Sequence, residues 1–111
     1  MYILIKKSLC PSLKSDIREM IDKHIVKTWK FIEEDNRTRL IHTGDSQYED
    51  VVLRFINTSR ENIQYIKIEP FSKIGSKDKE LAETHFGVVL GRFAELLNCH
   101  FQTIGSYETF L

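Results

Sequence analysis

The sequence predicts a single α+β domain over residues 1–111: a long helix, a three-stranded antiparallel meander and a second long helix, with both helices packed on one sheet face. Three observations carry this reading. Leu13 to Glu34 and Asp78 to Cys99 each place apolar residues at helical spacing. Between them lie three runs rich in β-branched and aromatic residues. The connections between those runs are shorter than the crossover that parallel neighbours need. Two amphipathic helices on one face of a small antiparallel sheet hide both stripes at once.

Tyr2 to Ile5 is a short apolar run, either an edge strand or the lead-in to a helix. Pro11 and Ser12 mark a helix start, with Ser12 or Ser15 as the cap. From Leu13 to Glu34, Leu13, Ile17, Met20, Ile21, Ile25, Trp29, Phe31 and Ile32 share one half of a helix. Val26 is the one large apolar residue off that face. Asp35-Asn36 ends the helix, and strands follow over Arg37 to Thr43, Val51 to Thr58 and Ile63 to Glu69. Gly44-Asp45-Ser46 and Ser59 to Asn62 separate them, and Pro70 closes the third.

The last helix buries Ala82, Phe86, Val89, Leu90, Phe93, Leu96 and Leu97 in this reading. A strip of small residues, Gly87, Gly91, Ala94 and Asn98, runs up its other side. Each glycine costs about 1 kcal/mol against alanine inside a helix, so the strip is either a tolerated weakness or a site of close approach by another surface. Short strands at both ends are further candidates, one over Phe101 to Ile104, ahead of an apolar tail from Tyr107 to Leu111.

The chain has 111 residues, 41% of them hydrophobic and 29% charged, the balance of a folded domain rather than a disordered segment. Sixteen basic residues offset sixteen acidic ones, which removes any general pull toward nucleic acid or an anionic membrane. Cys10 and Cys99 form no closely spaced pair, so neither a metal knuckle nor a redox dithiol is expected. The apolar start is interrupted by Lys6 and Lys7, too early for a signal-peptide core or a membrane span. A cytoplasmic protein with free thiols, no metal and no cofactor is the expectation.

The first candidate site is the outer sheet face. Alternation directs Arg37, Arg39, Arg54, Tyr65 and Lys67 outward around Ile41, Val52 and Ile56. An exposed apolar centre with an Arg and Tyr rim is the composition of a protein interface. The partner expected is another protein, such as a toxin neutralised by an inhibitor or immunity protein, or a second copy of the chain. His24, His42, His85 and His100 are not spaced as metal ligands, and His24 reads as a core or boundary residue. Cys10 precedes a helix start, where a thiolate is favoured, and Cys99 adjoins His100, so a small Cys/His enzyme is one alternative class. Thr109-Phe110-Leu111 has the form of a terminus captured by PDZ domains, and an aromatic tail folded back on its own domain is the preferred reading of the same residues.

The other alternative rests on Gly75-Ser76-Lys77, followed by Lys79 and Ala82 at a helix start after three strands. This stretch resembles the loop-to-helix motif of double-stranded RNA-binding domains. The resemblance implies phosphate contacts from Lys73, Ser76, Lys77 and Lys79 across an RNA groove.

Overall fold

The computed structural model describes residues 1–101 and 107–110. Its elements run β1 (Tyr2–Lys6), α1 (Leu13–Asp22), β2 (Trp29–Glu34), β3 (Arg37–His42), a 3-10 turn (Ser46–Tyr48), β4 (Val51–Arg60), β5 (Ile63–Ser72), α2 (Lys79–Thr84), α3 (Phe86–His100) and β6 (Tyr107–Phe110). The expected three-stranded meander between two long helices is corrected. Strands β1 to β5 form one antiparallel sheet, and β6 adds to its β1 side in the order β2-β3-β4-β5-β1-β6. Three helices accompany it, two of them after the sheet. Among the described residues, no helix is long and apolar enough to cross a membrane.

The largest departure lies in the first predicted helix, which ends at Asp22 rather than Glu34. His24 takes a left-handed φ of 59°. The N–H groups of His24 and Ile25 then donate to the carbonyls of Ile21 and Met20 at 3.0 and 2.9 Å. That is a Schellman stop with histidine in the place glycine normally fills. His24 is exposed, not a core histidine. Beyond the stop, Trp29 is buried, and so is Val26, the residue that lay off the apolar face of the expected helix. Trp29 and Phe31 instead alternate inward on β2.

Two tight hairpins organise the sheet. Asp35 and Asn36 link β2 to β3 with φ of 52° and 62°, and Glu61 and Asn62 link β4 to β5 with 51° and 67°. Successive positive φ values define type I′ turns, whose twist matches the strands they join. The flanking rungs Glu34↔Arg37 and Arg60↔Ile63 confirm two-residue loops. Pro70 does not close β5. It pairs with Leu53 inside the strand, beyond the last rung to β1, where β5 is an edge and tolerates a missing N–H.

The core occupies one face. Ile3, Ile5, Trp29, Leu40, Val51, Leu53, Ile66 and Ile68 from the sheet meet Leu13 and Ile17 of α1 and Val89, Leu90, Phe93, Leu96 and Leu97 of α3. Phe93 is fully buried, edge-on to Trp29 at 5.9 Å and to Phe55 at 5.8 Å. The last helix is also corrected: it breaks at His85 into α2, capped by Asp78 accepting from Leu81 N at 2.9 Å, and α3. The strand expected over Phe101 to Ile104 falls largely outside the described residues, as does Leu111. Thr109 and Phe110 pair with Ile3 and Tyr2, so this part of the tail is sheet rather than a free terminus.

Replacing Asn36 with valine forces a β-branched residue into the left-handed region and should cost about 1–2 kcal/mol by urea unfolding, whereas Asn36→Gly should stay within about 0.5 kcal/mol of the parent. Phe93→Ala should cost about 3–5 kcal/mol in the same assay.

Candidate functional site

The strand registers place every residue of the predicted outer face on one side of the sheet. Leu40↔Leu53 and Leu53↔Pro70 set the inner rows, so Arg39, Ile41, Val52, Arg54, Glu69 and Phe71 share the other side. The expected exposed apolar centre is corrected, however. Ile41 and Val52 are 2% and 0% exposed, while Ile56 is 37% exposed. Val52 faces Phe71 across the strand pair, and the Arg54 guanidinium covers the Phe71 ring at 3.9 Å. The segment after β5 also reaches toward β2, since Ile74 N donates to Glu34 at 2.8 Å. The apolar surface that stays open lies toward the hairpin tip, at Ile56 and Ile63.

What the face presents is charge. Lys6, Lys30, Arg37, Arg39, Arg54, Arg60 and Lys67 occupy outward strand positions, against the carboxylates Glu34, Glu69 and Glu108. Two of those carboxylates are already engaged. Lys67 pairs with Glu69 at 3.0 Å. Arg39 Nε stands 3.7 Å from Glu34, close enough to attract but too long for a hydrogen bond, and both atoms lack another hydrogen-bond partner. Burial, and then the like charge of Arg54, press the Arg39 pKa below its usual value. Tyr2 is clamped by its neighbours: its hydroxyl accepts from Arg60 at 2.8 Å, and Lys67 lies 4.6 Å over its ring.

The residues of the RNA-binding resemblance divide. Lys73 and Lys79 join Arg54 and Phe71 around a cavity of about 370 Å³, so part of that set converges with the sheet face. Ser76 and Lys77 do not line it. Among the described residues, the two glycines of the α3 strip meet no second helix. Nothing lies within 4 Å of a Cβ built on Gly91, and the one neighbour at Gly87 is the flexible end of Met1 at 3.6 Å. Ala94 instead packs against the core, which separates it from the exposed glycines.

A second cleft, of about 340 Å³, is one that sequence reading did not find. Val26 and Trp29, the Gly44-Asp45 loop, and Arg92, Glu95 and Cys99 of α3 surround His42 there. His42 is 5% exposed, its Nδ1 has no hydrogen-bond partner, and its ring stands edge-on to Trp29 at 4.8 Å. Gly44 makes room for that ring: a Cβ added there would lie 2.8 Å from His42 Cε1. Burial, then Arg92, lower the His42 pKa from 6.5, with Asp45 and Glu95 acting in the opposite sense. A neutral imidazole in a mixed-charge cleft can accept or donate one hydrogen bond.

Cys10 and Cys99 are free thiols, the first buried and the second exposed. Burial and the charge of Asp16 push the Cys10 thiol up, the reverse of nucleophile activation, which corrects the thiolate expected at that helix start. Among the described residues, no three His, Cys, Asp or Glu side chains are grouped to hold a metal ion. Comparison with protein-family models, curated proteins and solved structures finds no match to this chain.

Because the folded-state pKa of His42 lies below its ordinary 6.5, the unfolded chain binds more protons between the two values. The His42 contribution to stability is therefore full well above pH 6.5, declines as pH falls through that value, and levels off below the native pKa. Urea unfolding across this range should show the decline in the parent and a smaller one in His42→Phe. Gly44→Ala should destabilise by about 1–3 kcal/mol through overpacking against His42.

Proposed function

We propose that this chain is a non-enzymatic binding module whose outer sheet face docks an acidic surface of a partner protein. One observation supports it above the others: a chain of zero net charge gathers seven lysines and arginines on one sheet face, with carboxylates few and partly engaged. Opposed potentials of this kind steer association and set specificity. Arg54 over Phe71 and Tyr2 between Arg60 and Lys67 add held aromatic and guanidinium groups, the side chains that dominate interface energetics. Ile56 and Ile63 add a small apolar contact beside them.

The same charge argues against the face serving as a homodimer contact, because a two-fold interface would set one cationic patch against its copy. Occlusion of an acidic functional surface, as an inhibitor or immunity protein does for a toxin, is the finer form of this reading. A cytoplasmic setting suits the two free thiols. RNA is the competing occupant, since Lys73 and Lys79 extend the cationic surface past Arg54.

The test is affinity capture from the native cell, followed by calorimetry with the purified partner. An acidic protein should bind with salt-sensitive affinity, weakened about 30-fold or more in the double variant Arg54→Glu with Lys67→Glu. An affinity unchanged by that variant would overturn the proposal. So would duplex RNA that shifts in a gel and displaces the captured protein.

A further inference from the structure

A third cavity, of about 550 Å³, lies on the opposite face from the proposed interface, between the start of α1 and the inner side of the β4–β5 hairpin. Lys7, Lys14 and Arg18 line it, together with Ser12, Asn57 and Phe55. No Asp or Glu is among the described residues that line it. The cations are held rather than scattered. Lys14 Nζ donates to the carbonyl of Thr38 at 3.2 Å and stands 6.0 Å from the centre of the Phe55 ring. Arg18 lies 4.5 Å over the Phe31 ring. The nearby carboxylate of Glu33 accepts from the Thr38 hydroxyl at 3.0 Å.

This crowding has an electrostatic cost. Burial, then the like charges of Arg39 and Arg18, pull the Lys14 pKa below its usual value, and Glu33 offsets this only in part. An ammonium has three donors, and the bond to Thr38 uses one of them. The Ser12 hydroxyl makes no capping bond to its helix. An anion entering the groove would meet several donors and relieve the repulsion among the cations.

A phosphate monoester matches this lining better than a carboxylate. It carries a charge of about −1.5 to −2 and three strong acceptor oxygens. The aromatic floor and a volume within the usual range for small-molecule sites leave room for an attached flat body. We propose that the groove binds a small phosphate monoester, its phosphate held by Lys7, Lys14 and Arg18 with Ser12, and its body laid against Phe55.

Titration of ¹⁵N-labelled full-length protein with AMP, followed by amide shifts, tests this at low salt, with adenosine and inorganic phosphate as separate arms. AMP should give saturable shifts at Ser12, Lys14, Ser15 and Asn57 with Kd below about 1 mM, phosphate alone should bind the same residues more weakly, and adenosine should give none. Lys14→Gln and Arg18→Gln should each weaken AMP about tenfold, and Lys7→Gln, on the connection after β1, supplies a variant remote from the core. The proposal is overturned if AMP fails to saturate by about 10 mM, if adenosine binds as well as AMP, or if folded variants keep the parent affinity.

Discussion

The fold depends on one ring. Phe93 of α3 is fully buried between Trp29 of β2 and Phe55 of β4, so three elements distant in sequence meet at a single side chain. Edge-to-face contacts of this kind add directional preference to the burial of apolar area. The series continues outward, from Trp29 to His42, from His42 to Tyr48, and from Tyr48 to His85. The packing that anchors α3 therefore also positions the His42 cleft and reaches the break between α2 and α3.

Core demand on one sheet face decides the chemistry of the other. Inward positions on the central strands must be apolar to meet α1 and α3, which leaves the charges of those strands on the outward rows. Most of those charges are basic. Acidic residues lie instead in the hairpin turns, as Asp35 and Glu61, and on the helices, as Glu19, Glu80 and Glu95. Zero net charge thus conceals a local excess of basic residues on the outward rows, visible only when the strands are laid side by side. The groove beneath the β4–β5 hairpin carries the same idea at smaller scale, with Lys7, Lys14 and Arg18 gathered from a connection and a helix.

Much of the local organisation was legible in the sequence. The apolar stripe of the last helix is the surface that packs on the core, and the inward and outward rows of β3, β4 and β5 follow their alternation. The stretch from His24 to Glu34 was not legible, because its apolar residues fit a 3.6 period and a broken alternation almost equally well. Val26 was the sign of error: a large apolar residue off the helical face, buried once the chain turns. The stop at His24 carried no glycine to announce it, and Asp35-Asn36 served two readings, a helix end and a hairpin turn. The cavity residues were still less visible, since Lys7, Arg18 and Asn57 are ordinary surface residues until the hairpin and α1 enclose them.

By itself, the sequence determined an α+β domain with an antiparallel sheet, the face that α3 buries and the outward direction of Arg39, Arg54 and Lys67, because periodicity is a local property of the chain. Tertiary structure alone decided that β1 joins β5, that Ile41 and Val52 are covered while Ile56 is open, and that Gly44 must accommodate His42. Those outcomes turn on contacts between residues far apart in the chain, and the pattern of neighbours along it carries no record of which distant side chain arrives.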